Sequence, residues 1–252
     1  MGPGTGKFRE PAGWKAYATD PGSLPNRTAL GTTCFVKSDT EPASNHLVSG
    51  FHSRNVLPHL KREGASYFVT FRLAGTLPRE VLLRLMGERE AILQHAMAAK
   101  RPLTWHEQED LFRWYSSQVD AYLDAGHGEC WLRQAELADL VASALKFFDG
   151  TRYELQAWMV MPNHVHTVLR PLPGWTLSQT LKSWKGYTAR EANKLLQRTG
   201  ERFWQAESFD HLVRDDEDMH RCCHYTTMNP VNARLCARPE EWKWGSAYRP
   251  AA

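Results

Sequence analysis

The chain has 252 residues, a formal net charge of +3 and a hydrophobic fraction of 42%. This length fits one domain with extensions or two small domains, and the apolar fraction is sufficient for a buried core. The small net charge is no argument for nucleic-acid binding, which would have to rest on local clusters of basic residues. No run of about 18 apolar residues occurs, so we expect neither a membrane span nor a membrane partner.

The cysteines and the N-terminus indicate the redox environment. The five cysteines form no C-x-x-C pair and are odd in number, which fits neither a disulfide framework nor a zinc ribbon. The N-terminus lacks the apolar segment of a signal peptide. We therefore expect a reduced, cytoplasmic protein.

The first half of the chain begins with a leader and continues with a strand and helices. Residues 1–50 are rich in glycine and proline and are predicted to be disordered, with the folded domain covering 51–250. The alternation in SYFVTFRL predicts a strand. A capping-box pattern at Thr104 and Glu107 predicts the start of a helix. The predicted elements are a strand at 66–73 and helices at about 78–98, 104–123 and 134–148.

The second half of the chain continues the alternation of strands and helices. Its predicted elements are strands at 153–161 and 164–170, a helix at 176–197, an extended stretch at 203–213 and a helix from 215 to about 228. The last helix should end at Asn229, because Pro230 disfavours helical geometry in the residue before it. This order predicts an α+β fold, with helices packed on a small antiparallel sheet.

The strongest single motif is His164-Val165-His166. Side chains alternate along a strand, so both imidazoles point to one face of the sheet, where we expect them to be exposed. Two adjacent imidazoles on one face can hold a metal ion. The alternative is a pair of solvated histidines with no ligand.

A second pair consists of Tyr225 and Asn229, which lie four residues apart on one helix face. With a divalent ion nearby, the tyrosine could attack a phosphate while the asparagine carbonyl completes the metal shell. The alternative is a buried core tyrosine followed by a helix C-cap.

Positive charge is concentrated at 176–202, which contains six basic and two acidic residues, with aromatic residues among them. Basic side chains with aromatic neighbours suit a phosphate backbone with unstacked bases, although a solvated helix face has the same pattern. The candidate DNA-binding residues are Lys182, Trp184, Lys185, Arg190 and Arg214.

Five separated motifs occur in an order that resembles one family. They are AWMVMPNHVHTVL at 157–169, SWKGYTAREAN at 183–193, FWQAESFDHLVRD at 203–215, YTTMNPVNARL at 225–235 and WKWGSAY at 242–248. Together they resemble the REP-associated tyrosine transposases of the single-tyrosine HUH superfamily. GFHSRNVLPHL and YFVTFRLAGTLP, at 50–60 and 67–78, look like the N-terminal part of one branch.

The resemblance implies a ferredoxin-like α+β domain with a central antiparallel sheet. It implies that His164 and His166 bind Mg²⁺ or Mn²⁺, that Asn229 supplies a third contact to the ion, and that Tyr225 is the nucleophile. The implied substrate is a single-stranded DNA hairpin. The implied products are a covalent 5′-phosphotyrosine and a free 3′-hydroxyl.

The chain departs from the family pattern at two places. Thr226-Thr227-Met228 replaces a more apolar stretch between Tyr225 and Asn229, and the segment 100–127 looks like an inserted helix. Two other functions stay open: a domesticated protein that binds DNA hairpins without productive cleavage, and a phosphodiesterase that uses water. We expect a monomer or a homodimer.

Overall fold

The computed structural model describes residues 50–54, 57–62, 64–78 and 104–250, together with scattered helical residues between 80 and 98. The predicted leader lies outside these residues except for Gly50, which begins a strand. Within the described residues, no helix has both the length and the apolar character needed to cross a membrane.

A hairpin that we did not predict opens the described part of the chain. Strand β1 (Gly50–Arg54) pairs antiparallel with β2 (Leu57–Lys61), with Gly50 opposite Lys61.

The central sheet has four strands: β3 (Tyr67–Arg72), β4 (Tyr153–Val160), β5 (His164–Pro171) and β6 (Phe209–Leu212). Their spatial order is β4-β5-β3-β6, and every neighbouring pair is antiparallel. Helical segments connect β3 to β4 and β5 to β6, whereas a tight turn joins β4 to β5. This connectivity is that of a ferredoxin-like domain, so the predicted fold class is confirmed.

Helices cover both faces of this sheet. Helices α3 (Ala135–Phe147) and α4 (Leu177–Leu195) pack on one face, and α5 (Asp216–Asn232) packs on the other. The other helical elements of residues 104–250 include α1 (Trp105–Tyr115), a π-helical turn (Ser116–Asp120) and α2 (Ala121–Asp124). The predicted capping box before α1 is present, because the Glu107 carboxylate accepts from the Thr104 backbone and Thr104 Oγ1 accepts from Glu107 N. The segment 105–124 is therefore helical. Its status as an insertion relative to the family stays a prediction.

The two faces of the sheet have different roles. Alternate residues of β3, such as Val69 and Phe71, pack with α3 and α4 in the larger core. Phe68 points to the opposite face and packs near α5, together with Val168 and Cys222. Strand geometry therefore separates a structural face from a second face, to which His164 and His166 also point.

The prediction that the last helix ends at Asn229 is wrong, because α5 continues to Asn232 with Pro230 inside it. Proline has no backbone N–H, so the helix loses the one hydrogen bond that residue 230 would donate to Thr226 O. The final turn is closed by bonds from Ala233 N to Asn229 O and from Leu235 N to Pro230 O.

The C-terminal segment covers the outer edge of β4. Val160 N donates to Trp244 O at 2.8 Å, and Ser246 N donates to Trp158 O at 2.9 Å. An edge strand with free backbone groups is a template for pairing with another chain, so this segment protects the sheet edge.

Candidate active site

His164 and His166 lie side by side on the second face of the sheet. Both are 0% exposed, and their Nε2 atoms are 3.0 Å apart. The prediction that they share one face is confirmed. The expectation that they are exposed is wrong, since their face is covered by α5 and by the helical segment that contains Asp120.

Asn163 determines how the His164 ring presents its nitrogens. The Asn163 amide nitrogen donates to Leu123 O at 2.9 Å and to His127 O at 3.2 Å, so its Oδ1 faces the imidazole as an acceptor. Oδ1 accepts from His164 Nδ1 at 2.7 Å. His164 therefore carries its proton on Nδ1, and the lone pair of Nε2 points into the site.

His166 is held by β3 and by an aromatic ring. Its Nδ1 lies 2.8 Å from Thr70 Oγ1, and its ring stacks on Phe68 with centroids 5.5 Å apart. As in His164, the Nδ1 contact leaves Nε2 directed toward the other imidazole.

Tyr225 approaches this pair from α5. Its half-buried ring meets His166 edge-on, with the centroids 5.6 Å apart, and meets Phe68 in the same way at 5.7 Å. Its hydroxyl donates a hydrogen bond to Asp120 Oδ2. The predicted nucleophile and the predicted metal-binding histidines are therefore brought together.

Asn229 lies one helical turn beyond Tyr225 and is 1% exposed. Within the described part of the chain, its Oδ1 has no hydrogen-bond partner. A buried polar atom without a partner is costly, and a cation would satisfy it. This placement favours a ligand role for Asn229 over the helix C-cap alternative.

Two carboxyl groups that the sequence analysis missed also enter the site. Atoms of Asp120, His164 and His166 that could bind a metal lie within 4.8 Å of one another. Asp124 Oδ1 lies 3.9 Å from His164 Nε2. The spacing of four residues between the two acids indicates a shared helix face, but nothing local shows that this face meets the histidines.

Burial shifts the protonation of all four groups. It lowers the pKa of His164 to about 3, with the nearby Asn229 carboxamide acting in the opposite direction, and it lowers the pKa of His166 well below its usual value. Burial raises the pKa of Asp120 to about 8, against the Tyr225 hydrogen bond, and the pKa of Asp124 to about 7. The imidazoles are therefore neutral and able to bind a cation.

The donor set fits a divalent cation. The two imidazole Nε2 atoms lie 3.0 Å apart, the Asn229 side chain lies beside His164, and Asp124 Oδ1 lies 3.9 Å from His164 Nε2. Mixed nitrogen and oxygen ligands suit Mn²⁺ and accept Mg²⁺.

Two residues predicted to contact DNA make hydrogen bonds within the folded domain. Trp184 is 1% exposed, and its Nε1 donates to the Tyr153 hydroxyl at 2.9 Å. Its ring is therefore not available to stack on a base. Lys185 Nζ donates to Gln205 O at 2.7 Å and to Ala206 O at 2.8 Å, and burial lowers its pKa to about 8.

The other predicted DNA contacts do not surround the histidines. Lys182 is exposed on α4, while Arg190 is half-buried and bonded to Glu191 at 2.8 Å. Helix α4 packs on the sheet face opposite the histidines. Lys182 also lines a cavity of about 500 Å³ between α4 and residues 201–210. Arg214 precedes α5, where its backbone N–H donates to Asp218.

Part of this chain is similar to known transposases. Residues 133–225 match the family model described as "Transposase IS200 like", and this segment includes both histidines and ends at Tyr225. The predicted family resemblance is confirmed. The REP-associated tyrosine transposase of Escherichia coli (strain K12) is 23% identical over 101 residues, 40% of this chain. The match spans 58% of that relative's length.

Two solved structures are similar in part. One is a REP-associated tyrosine transposase bound to a REP hairpin, with 14% identity and a TM-score of 0.43 over 75% of this chain and 82% of that one. The other is a putative transposase from Deinococcus radiodurans R1, with 15% identity and a TM-score of 0.26 over 64% of this chain and 86% of that one.

Proposed function

We propose that this chain is a metal-dependent, single-stranded DNA endonuclease and strand transferase that links DNA covalently to Tyr225. One observation carries the proposal. The tyrosine ring packs against His166, whose Nε2 is 3.0 Å from that of His164, and the unpartnered Asn229 amide oxygen lies one turn away. A nucleophile beside a set of metal-binding atoms suits attack on a phosphodiester and transfer of the DNA phosphoryl group to the tyrosine oxygen.

His164, His166 and Asn229 would hold Mg²⁺ or Mn²⁺, and Asp124 offers a further oxygen beside His164. When bound, the ion supplies polarisation of the scissile phosphate and stabilises the negative charge that develops there. Asn163 keeps the His164 lone pair directed inward throughout.

Tyr225 performs the bond exchange. A free tyrosine hydroxyl, with a pKa of about 10, is a weak nucleophile and needs a site that favours loss of its proton. As its oxygen bonds to phosphorus, the bond from phosphorus to the 3′-oxygen breaks. This leaves a 5′-phosphotyrosine and a 3′-hydroxyl. The covalent intermediate keeps the bond energy, so a 3′-hydroxyl can later reverse the step and rejoin the strand.

We propose a DNA hairpin as the substrate. The support is the family resemblance and the relative whose name includes REP association. Among the predicted contacts, Lys182, Arg190 and Arg214 remain candidates for phosphate binding. A cytoplasmic location and a monomer or homodimer remain predictions.

The test uses labelled single-stranded hairpin oligonucleotides with Mn²⁺, separated on a denaturing gel. Wild type should give a covalent protein–DNA band that Tyr225→Phe lacks while still binding the hairpin. Tyr248→Phe, outside the site, is the matched control and should keep the band. Cleavage without a covalent band would favour a hydrolase that uses water. Binding without cleavage, over a range of hairpins, would favour a domesticated hairpin-binding protein.

A further inference from the structure

Asp120 is a buried acid whose placement is not explained by the stability of the fold. It ends the π-helical turn before α2 and is 3% exposed. One carboxyl oxygen accepts from the Tyr225 hydroxyl, and the other has no hydrogen-bond partner within the described residues. Burying a carboxyl group with a single hydrogen bond costs stability, so a merely structural role would be served better by an uncharged side chain.

The segment that carries Asp120 is tied to the strand that carries the histidines. Leu123 is 1% exposed and packs with Val119 and Leu77. Its carbonyl accepts from Asn163, the residue that also orients His164. The acid, the nucleophile and the imidazoles are therefore positioned by one connected set of contacts. This connection joins residues far apart in the chain.

The Tyr225 hydroxyl points to Asp120 and not to the other proton acceptors in the site, the two histidines. The tyrosine meets His166 through the edges of the two rings, with centroids 5.6 Å apart, whereas its hydroxyl donates to Asp120. Ionised Asp120 is therefore already hydrogen-bonded to the proton that must leave when the oxygen becomes a nucleophile. Because burial raises the pKa of Asp120 to about 8, the share of this form grows as the pH rises toward 8.

We propose that Asp120 is a further catalytic residue, which orients the Tyr225 hydroxyl and takes its proton as the oxygen attacks phosphorus. The inference rests on the proposed function. The O–H bond of Tyr225 breaks, its proton moves to Asp120 Oδ2, and the O–P bond forms. The bond from phosphorus to the 3′-oxygen breaks, and that oxygen takes a proton from water. On rejoining, the 3′-hydroxyl gives its proton to water, and Asp120 returns its proton to the tyrosine oxygen.

The test compares Asp120→Asn with wild type in three measurements: the rate of covalent band formation, hairpin affinity and calorimetric Mn²⁺ affinity. The rate should fall about 100-fold or more, as expected for loss of a general base. Both affinities should change by less than about threefold, because the variant keeps its size and loses only a proton acceptor. Asp110→Asn, an exposed acid on α1, is the matched control and should keep the wild-type rate.

Each outcome decides between roles. An unchanged rate would overturn the inference. A fall in Mn²⁺ affinity with the rate restored by excess Mn²⁺ would also overturn it and make Asp120 a metal ligand. If Asp120→Asn does not fold, Asp120→Ala replaces it, with the same expected fall in rate. Partial recovery of the rate in Asp120→Glu supports proton transfer. A wild type that binds hairpins but never forms the band refutes the proposed function itself, a result distinct from a defect confined to the Asp120 variants.

Discussion

At the scale of single residues, the site is marked by buried side-chain oxygens that accept no hydrogen bond from the part of the chain that the structure describes. Asn229 Oδ1, Asp120 Oδ1 and Asp124 Oδ1 all lack hydrogen-bond partners among the described residues. Buried acceptors are nearly always satisfied in folded proteins. Their position near two imidazoles therefore indicates that the site is arranged for a ligand.

Asn229→Ala should weaken Mn²⁺ affinity by roughly tenfold or more and slow covalent band formation, while hairpin affinity changes little. The amide oxygen would be lost from the metal shell, whereas the basic surface that binds DNA would be intact. Calorimetry and the gel assay measure the two effects. Asn232→Ala, on the exposed last position of the same helix, is the control. A variant that loses melting temperature but keeps its Mn²⁺ affinity and its cleavage rate would make Asn229 a helix cap only.

Asn163→Ala should also weaken Mn²⁺ binding, by about 10–100-fold, although Asn163 would not touch the ion. Without Oδ1 at 2.7 Å, His164 no longer has a fixed proton on Nδ1, and its Nε2 lone pair is not held inward. Calorimetric titration measures the change. Equal affinities in the variant and wild type would show that packing alone orients His164.

At the scale of elements, α5 is the structure that brings catalytic side chains to the sheet. Asp215 caps its N-terminus by accepting from Asp218 N at 2.8 Å. The Asp218 carboxylate in turn accepts from His211 at 2.9 Å and from Arg221 at 2.6 Å. This cluster joins β6 to the first turn of the helix, so the placement of Tyr225 depends on it.

Asp218→Asn should lower the free energy of unfolding at pH 7 by roughly 2 kcal/mol or more, since hydrogen bonds to a buried charge are lost. Burial raises the pKa of Asp218, but the His211 and Arg221 contacts outweigh it and hold that pKa well below its usual range. A depressed folded-state pKa stabilises the fold above about pH 4, and this contribution declines as the pH falls.

The difference between Asp218→Asn and wild type should therefore be smaller at pH 3 than at pH 7. Urea unfolding at both pH values measures it. The control is Asp216→Asn, an exposed residue in the same turn. A difference of equal size at both pH values would remove ionisation as the cause.

The structure of helix α4 reduces the number of its basic residues that we expect to bind DNA. Lys182→Ala with Arg190→Ala should flatten the plot of log hairpin affinity against log salt by about 1.4, since each single-strand phosphate contact contributes about 0.7. Lys185→Ala should instead lower the melting temperature, because that lysine binds the carbonyls of Gln205 and Ala206. An unchanged slope in the double variant would mean that this face is only solvated.

At the scale of the whole molecule, one chain supplies every residue of the candidate site. Asp120 and Tyr225 are 105 positions apart in sequence but share a hydrogen bond. The outer edge of β4 is covered by residues 244–246 of the same chain. We therefore predict cleavage by a single chain, without exchange of catalytic residues between two copies.

A mixture of His166→Ala and Tyr225→Phe should consequently form no covalent band, because neither chain has a complete site. The gel assay with both variants at equal concentration measures this, with each variant alone as the baseline. A band in the mixture would show that the histidines of one copy work with the tyrosine of another.

The sequence by itself determined the features that depend on local backbone geometry. Alternation along β5 places His164 and His166 on one face, and helical spacing places Asn229 one turn from Tyr225. The order of strands and helices likewise indicated the antiparallel α+β fold, because hairpins and helical crossovers restrict strand order.

Only the tertiary structure decided which side chains are buried and which distant groups meet. Trp184 lies in the core, although its basic neighbours indicated a DNA-binding surface, because its indole packs against β3. The histidines are covered, and Asp120 reaches Tyr225, because helices close over that face of the sheet. Such contacts depend on how whole elements pack. The local sequence around Asp120 does not predict that α5 packs beside it.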